Sequence, residues 1–289
     1  MSATQRVWLV TGANSGFGAE FVKQILARGD KVIATGRNPN KLSALANTGA
    51  HLLTLDVTSP LDELKAIAKE AVKVYGRIDV LVNNAGYIEL GTVEETTTER
   101  TLQQFNTNVF GLMNVTRAIL PYMRERRSGS IVNTGSIGGW RGYAGVGLYS
   151  ATKFAVAGIS EALKAEVEPL GIEVHCVEPG YFATSLLTPS NLALNTEASI
   201  PDYAHLNRGI SEGFQQISGH QMGDPVKGVA RIIEAVTHEG FAKGKKIPTR
   251  MALGKDAYEY TGEILQQWEK DREEWKEWTV DTVRDDLPE

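Results

Sequence analysis

Short apolar runs alternate along the chain with stretches in which apolar residues recur every three or four positions. The runs of four to six residues that are typical of buried strands lie at Val7–Val10, 31–35, 51–56, 78–82, 130–134 and 172–177. Helical periodicity predicts helices after the first run, at residues 102–120 and at residues 149–168. Because strands and helices alternate over most of the 289 residues, the pattern predicts a single α/β domain over residues 1–289, built on a doubly wound parallel sheet.

Helix boundaries are suggested at two prolines. Ser59 followed by Pro60 predicts a helix with Ser59 as its N-cap and Pro60 as its first residue. Asp224 followed by Pro225 predicts the start of another helix near the C-terminal end.

Two later segments depart from the alternation. Residues 185–224 have little periodicity but many apolar side chains, which predicts an irregular loop that covers an apolar substrate. Residues 255–280 have a charged helical pattern with tryptophans on one face, which predicts a C-terminal helical extension packed against the body or a partner subunit.

Composition narrows the class of protein. The net charge of −5 gives no basic surface for nucleic acid or an anionic membrane, and no apolar run approaches the length of a membrane span. The single cysteine, Cys176, excludes an internal disulfide, and the N-terminus lacks the apolar block of a signal peptide. The five histidines show no metal-ligand spacing. We therefore expect a soluble cytoplasmic protein without a metal site.

A glycine-rich turn follows the first strand, in the run Thr11-Gly12-Ala13-Asn14-Ser15-Gly16-Phe17-Gly18. A strand, such a turn and a helix N-terminus form an anion site, because free backbone amides and the helix dipole point to one place. We expect a nucleotide phosphate there, although an ordinary tight turn explains the glycines equally well.

Arg37 ends the second strand 19 residues after Gly18. An acidic residue at about this distance would hold the ribose hydroxyls of NAD, whereas an arginine pairs with the 2′-phosphate of NADP. The sequence therefore favours NADP, although a surface arginine after a strand is also common without any function.

Small and polar residues follow other strands. Ala85 and Gly86 after the fourth strand would let a cofactor approach the backbone, although a plain turn accounts for them too. Asn108, beside an apolar helix stripe, is expected to be a structural plug or the holder of an ordered water. Thr184 offers a hydroxyl to a cofactor amide or caps a helix.

The chemistry centres on Ser136, Tyr149 and Lys153. Tyr149 and Lys153 are four residues apart and would leave the same face of a helix. An ammonium about 4 Å from a phenol is worth about 4 kcal/mol at an effective dielectric of about 20, enough to lower the phenol pKa by ~3 units. Ser136 follows the predicted strand at 130–134, at the end where open α/β sheets bind ligands. A tyrosine and a lysine at this spacing also occur on ordinary solvated helices.

Taken in order, the glycine-rich turn, Asn83-Asn84-Ala85-Gly86, Asn108, Ser136, Tyr149-x-x-x-Lys153 and Pro179-Gly180 resemble the short-chain dehydrogenase/reductase family over residues 6–184. That resemblance implies a Rossmann-like fold. It implies that Tyr149 is the general acid in reduction and the base in oxidation, and that Lys153 lowers its pKa and binds the nicotinamide ribose. Ser136 would polarise the carbonyl, and Asn108 would hold a water of the proton relay.

The resemblance also implies the cofactor contacts. The turn glycines would let the pyrophosphate approach, Asp56 would meet the adenine, Asn83 a ribose and Thr184 the carboxamide. Ser15 stands where many NADP-preferring members carry a basic residue, which leaves the NADP prediction resting mainly on Arg37. The full expected set is Gly12, Asn14, Ser15, Gly16, Phe17, Gly18, Arg37, Asp56, Val57, Asn83, Ala85, Gly86, Tyr149, Lys153, Pro179, Gly180, Phe182 and Thr184.

The sequence thus predicts an NADPH-dependent reductase of a ketone or aldehyde of an apolar small molecule, or the reverse alcohol oxidation. The alternative is a non-catalytic dinucleotide-binding sensor or scaffold, which has no need of all four predicted catalytic residues. A hydrolase is disfavoured because Thr134 replaces the first glycine of a nucleophile elbow. In the family, helices at about 102–123 and 149–168 commonly form the subunit interface, so we expect a homo-oligomer.

Overall fold

The computed structural model describes residues 5–188, 192–194 and 200–284. The strands are β1 (Val7–Val10), β2 (Lys31–Gly36), β3 (His51–Thr54), β4 (Val80–Asn83), β5 (Ile88–Leu90), β6 (Gly129–Thr134), β7 (Ile172–Pro179), β8 (Leu192–Leu194) and β9 (Arg250–Leu253). The helices are α1 (Gly16–Ala27), α2 (Pro39–Leu42), α3 (Leu61–Tyr75), α4 (Thr98–Phe105), α5 (Leu112–Arg126), α6 (Gly147–Val167), α7 (Ala204–Ile217), α8 (Pro225–Thr237), α9 (Lys255–Glu274) and α10 (Lys276–Val280).

Within these residues seven strands form one sheet in the order β3-β2-β1-β4-β6-β7-β9, and every neighbouring pair is parallel. The chain builds outward from β1 to β3 and then in the other direction from β4 to β9. Such a switch point opens a crevice at the carboxyl ends of the strands. The predicted doubly wound, Rossmann-like parallel sheet is confirmed.

Helices cover both faces of the sheet. Trp8 and Val10 pack in one cluster with residues of α1 and α8, whereas Val7 and Leu9 pack in another with residues of α3 and α5. This division follows from the two-residue period of a strand. Because both faces are buried, the strands appear in the sequence as continuous apolar runs.

Some predicted boundaries are wrong by one or two residues. The third strand ends at Thr54 instead of residue 56. Helix α3 begins at Leu61 with Pro60, not Ser59, at its N-cap. The Pro60 carbonyl accepts the first turn's hydrogen bond from the Leu64 amide at 3.1 Å, so the proline stands just outside the helix. Asp224 does cap α8 and accepts from the Val226 amide at 2.8 Å.

The helix predicted at 102–120 is not continuous. It begins at Thr98, passes through a π-helical turn at Asn106–Gly111 and continues as α5 through Pro121 to Arg126. A π turn inserts extra backbone and rotates the following residues. Leu102, before this turn, is 52% exposed, whereas Val109 and Leu112 are buried.

The sequence pattern missed several of the described elements, among them β5 and α2. Helix α7 lies inside the segment predicted to be irregular, and β8 of the same segment pairs in parallel with β5. Strand β9 adds a seventh position to the sheet beside β7. Helices α9 and α10 occupy the region of the expected helical extension. No helix in the described ranges is long and apolar enough to cross a bilayer.

Candidate active site

Ser136 and Tyr149 lie together at the carboxyl edge of the sheet. Ser136 is the second residue after the end of β6, and Tyr149 lies in the first turn of α6. The two side chains are neighbours, since a Cβ atom on Gly138 would lie 3.4 Å from Ser136 Oγ and 3.4 Å from Tyr149 Cε1. The Ser136 hydroxyl also accepts a hydrogen bond from the Gly138 amide at 3.0 Å, which fixes its position.

Burial dominates the acidity of the Tyr149 phenol. Burial raises its pKa to about 12, although the neighbouring Ser136 hydroxyl acts in the opposite direction. The sequence predicts a pKa lowered by Lys153, and for the chain described here that prediction is wrong. Tyr149 therefore keeps its proton at neutral pH and is available as a proton donor.

The ammonium group of Lys153 lies close to Tyr149 but points elsewhere. Its Nζ atom is 5.6 Å from the centre of the Tyr149 ring and donates to the carbonyl oxygen of Thr134 at 2.7 Å. The side chain is buried, and burial lowers its pKa to about 8. This geometry explains why the predicted shift is absent, since the cation is directed at the β6 backbone instead of the phenol oxygen.

Asn108 lies in the π-helical turn and is almost completely buried. Its amide nitrogen donates to the Tyr87 carbonyl at 3.0 Å and to the Thr152 hydroxyl at 3.2 Å, while its oxygen accepts from the Tyr87 amide at 3.2 Å. Of the two expected uses, the structure shows the plug, because Asn108 ties the chain after β4 to the residue before Lys153. A role in a proton relay stays a prediction.

The glycine-rich turn has the backbone shape that close approach of a phosphate requires. Gly12 has φ of 63°, and a Cβ atom on Gly18 would lie 2.2 Å from the Gly12 carbonyl oxygen. Ser15 is the N-cap of α1, and its side chain makes no capping hydrogen bond with the described residues. The first amides of α1 are thus open toward the turn, and these features fit the pyrophosphate of a dinucleotide.

Thr11 and Asn84, which were not among the predicted site residues, hold this turn against the next loop. The Thr11 hydroxyl accepts from the backbone amides of Asn84 and Ala85 at 2.9 and 3.1 Å. The Asn84 side chain donates to the carbonyls of Thr11 and Gly12 at 3.0 and 3.1 Å. Their place inside the two motifs was the only signal available in the sequence.

Four predicted cofactor contacts have side chains that face the protein interior. Asn83 is 3% exposed and donates to Thr116 and Asn133, so it could meet a ribose only through its backbone. Phe17 and Phe182 pack edge to face in the core with ring centres 5.0 Å apart. Val57 is buried against the π-helical turn. The sequence pattern does not reveal these side-chain directions.

The outer end of the crevice is polar. Arg37 is exposed just after β2, and none of the residues in the described ranges forms an ion pair with it. Asn14 is exposed, with its Oδ1 atom 3.7 Å from where a Cβ on Gly36 would be. The Asp56 carboxylate accepts from the amide and hydroxyl of Thr58 at 2.9 and 2.7 Å, which shapes the turn after β3.

The remaining predicted residues line the crevice from its other sides. A Cβ on Gly86 would lie 3.2 Å from Asn108 Oδ1, and one on Gly16 would lie 3.5 Å from Thr184 Cβ. The Thr184 hydroxyl accepts a weak hydrogen bond from the Leu186 amide at 3.4 Å. Of its two expected roles, it therefore caps the short helix that follows. Pro179 and Gly180 are half-buried at the end of β7.

An apolar cluster covers Tyr149. It includes Val146 and, from α7, the side chains of Ile210, Phe214 and Ile217. The carboxylate of Glu95 holds this helix down by accepting from the Ile200 amide at 3.0 Å and from the Asn207 side chain at 2.8 Å. The spacing of the three α7 residues is helical and was the signal that the sequence reading overlooked.

A family model described as short chain dehydrogenase matches residues 6–195. The chain belongs to the short-chain dehydrogenase family. Oxidoreductase BOA17 of Botryotinia fuckeliana is 34% identical over 276 residues, which cover 94% of this chain and 97% of that protein. A 3-ketodihydrosphingosine reductase of Bacteroides thetaiotaomicron is 42% identical over 200 residues, covering 69% of this chain and 72% of that protein. These findings confirm the resemblance found in the sequence.

Solved short-chain dehydrogenase structures agree with the fold. One from Streptomyces avermitilis superposes with a TM-score of 0.85 at 40% identity and covers 98% of this chain and 100% of that chain. A gluconate 5-dehydrogenase from Burkholderia cenocepacia, solved with NADP and tartrate, has a TM-score of 0.60 at 28% identity and covers 63% of this chain and 74% of that chain. A family member from Burkholderia phymatum, solved with NAD, has a TM-score of 0.71 at 22% identity. The match covers 81% of this chain and 86% of that chain. The chain is thus a dehydrogenase or reductase of this family, and two of these solved neighbours contain a nicotinamide dinucleotide.

Proposed function

We propose that this protein reduces a ketone or aldehyde group of an apolar small molecule with NADPH, and that it also catalyses the reverse alcohol oxidation. The observation that carries the proposal is the proximity of the Tyr149 phenol and the Ser136 hydroxyl under an apolar cover. A relative whose name describes a reductase of a keto compound supports the direction of the reaction.

The dinucleotide would lie along the carboxyl edge of the sheet. The open amides of α1 and the close-approach glycines suit its pyrophosphate, and the exposed Arg37 suits a 2′-phosphate. When bound, the cofactor supplies the hydride. The preference for NADPH is supported by Arg37.

The chain's own residues handle the proton and the oxygen. Ser136 would donate a hydrogen bond to the substrate oxygen, and Tyr149, protonated at neutral pH, would transfer its proton to that oxygen as negative charge develops there. The Lys153 ammonium holds positive charge near the phenol without a neighbouring carboxylate partner in the described residues. The apolar cluster over Tyr149 excludes water from this transfer and favours an apolar substrate.

The test is a screen of apolar ketones and aldehydes in which turnover is measured as the loss of NADPH absorbance. The same screen is run in parallel with NADH. The proposal predicts turnover of at least one apolar carbonyl compound and a higher kcat/KM with NADPH than with NADH. Dinucleotide binding without turnover across the screen would contradict it and would favour a sensor.

We also propose that the protein acts in the cytoplasm as a homo-oligomer. Support comes from the exposed apolar side chains on α4, the π-helical turn and α6, namely Leu102, Phe110 and Phe154, which are 52%, 47% and 42% exposed. The buried Cys176 needs no oxidising compartment.

A further inference from the structure

The C-terminal segment at residues 250–268 contacts both loops that flank Tyr149. One loop, residues 135–140, follows β6 and contains Ser136, and the other begins at Gly180 after β7. The family match ends at residue 195, so this segment lies outside the part of the chain that the family model describes. Its contacts with the two loops are specific and mostly polar.

Glu178, in β7, is the centre of these contacts. Its side chain is fully buried, and its Oε1 atom accepts from Nε and Nη2 of Arg250 at 2.9 and 2.7 Å. Its Oε2 atom accepts from the indole nitrogen of Trp140 at 2.9 Å. A buried carboxylate with partners on both oxygens has one favourable orientation, so Trp140 and Arg250 are fixed relative to each other.

Arg250 also holds the end of the Ser136 loop. Its Nη2 atom donates to the Gly139 carbonyl at 3.3 Å, and the guanidinium lies 4.3 Å from the Trp140 ring centre. A Cβ on Gly139 would lie 3.0 Å from the Lys153 carbonyl oxygen, so the loop is confined between Arg250 and α6. The Gly139 amide donates back to the Ser136 carbonyl at 2.9 Å, which transmits the position of this loop end to Ser136.

Helix α9 adds two further links. The Asp256 carboxylate accepts from the Tyr181 amide at 2.6 Å, and a Cβ on Gly180 would lie 2.3 Å from that carboxylate. Trp268 stacks on Trp140 with ring centres 6.2 Å apart. The loop after β7 and the loop after β6 are therefore held by one helix and the strand before it.

We propose that residues 250–268, anchored on Glu178 of β7, form a positioning clamp that sets the Ser136 hydroxyl for catalysis, and that Glu178, Arg250 and Trp268 are the positioning residues. The proposal rests on the proposed carbonyl reduction. None of these three side chains touches the hydroxyl of Ser136 or the phenol of Tyr149, so each acts through the loop at 135–140.

The test compares Arg250→Lys with the matched control Arg272→Lys. Lysine keeps the charge opposite Glu178 but cannot bond to Glu178 and Gly139 together or cover the Trp140 ring. Arg272 forms surface ion pairs with Glu269 and Glu273 of the same helix. We expect Arg250→Lys to lower kcat about tenfold with the dinucleotide Kd within about twofold, because small misplacements reduce the rate without loosening the cofactor. We expect Arg272→Lys to leave both kcat and the dinucleotide Kd unchanged.

Two readouts separate positioning from a general loss of structure. In a Ser136→Ala background, Arg250→Lys should change kcat by less than about twofold, because the clamp acts through Ser136. The amides of residues 138–140 should exchange with deuterium about fivefold faster in Arg250→Lys and at the wild-type rate in Arg272→Lys. If Arg250→Lys does not fold, Trp268→Ala replaces it, with Trp275→Ala as its control.

An equal loss of kcat in both backgrounds, or unchanged exchange at residues 138–140, would overturn the clamp. If the wild-type protein turns over no carbonyl compound, the proposed function fails, and the exchange measurement alone decides whether the clamp exists.

Discussion

Tyr149 and Lys153 have opposite pKa shifts with the same cause. Burial disfavours the charged form of each group. It raises the pKa of the Tyr149 phenol to about 12 and lowers the pKa of the Lys153 ammonium to about 8. At neutral pH the site therefore contains a protonated phenol and a lysine that is still mostly charged. The spacing of the two residues is visible in the sequence, but the burial that sets their acidity is a property of the packed structure.

Lys153→Met should show this burial as a pH-dependent stability difference. The folded pKa of about 8 lies below the ordinary lysine pKa of 10.5, so between these values the unfolded chain binds more protons than the folded one. Below pH 8 the buried ammonium destabilises the fold, and this effect fades as the pH rises. From pH 7 to 9.5 wild type should gain about 2 kcal/mol in free energy of unfolding relative to Lys153→Met, as measured by urea titration. A difference that does not change with pH would contradict the burial argument.

Arg37→Ala tests the choice of dinucleotide at a single exposed side chain. If the guanidinium pairs with the 2′-phosphate, its removal should weaken NADPH binding about tenfold or more and change NADH binding by less than about twofold. Fluorescence titration with each dinucleotide measures both values. An equal loss for NADPH and NADH would show that Arg37 does not contact the phosphate.

The elements around the crevice depend on close backbone contacts between loops. Thr11 and Asn84 bind the turn after β1 to the loop after β4, and Gly18 lets α1 begin against the Gly12 carbonyl. A side chain at Gly18 would push α1 away from that carbonyl, because the atoms it would meet belong to the backbone.

Gly18→Ala should therefore weaken dinucleotide binding by about tenfold or more and lower stability. Its Cβ would lie 2.2 Å from the Gly12 oxygen and 2.7 Å from Asn84 Nδ2. Gly262→Ala, in α9, is the control, since a Cβ there meets no heavy atom within 4 Å. Calorimetric titration gives the affinity and thermal melting gives the stability. Equal affinities for the two variants would contradict the close-approach role.

The elements that the sequence predicts well are those with a strong local signal. Strands buried on both faces, such as β1 and β2, appear as unbroken apolar runs, and the motifs lie where the crevice forms. Strand β9 was missed because it is only partly buried at the sheet edge. Helix α7 was missed although Ile210, Phe214 and Ile217 have helical spacing in the sequence. The inward direction of Asn83 depends on its hydrogen bonds to Thr116 and Asn133, which are distant in sequence.

At the scale of the whole molecule, large apolar side chains on the π-helical turn and α6 are exposed to water in the single chain. Phe110 and Phe154 are 47% and 42% exposed on neighbouring elements. Covering them with a second copy would bury apolar area and stabilise an assembly.

Phe154→Glu should shift the protein toward monomer, because a carboxylate in an apolar interface loses its hydration. Tyr258→Glu, at a position 77% exposed on α9, serves as the control for an added charge elsewhere. Sedimentation velocity at several concentrations measures the assembly. A monomeric wild-type protein, or an unchanged assembly in Phe154→Glu, would contradict the proposed interface.

Proton donation by Tyr149 is the central claim, and Tyr149→Phe tests it most directly because it removes one oxygen atom and keeps the ring. The measurement is NADPH-dependent carbonyl turnover together with dinucleotide binding by the same variant. We predict that turnover is abolished while binding remains measurable. Full retained turnover in Tyr149→Phe would contradict the account.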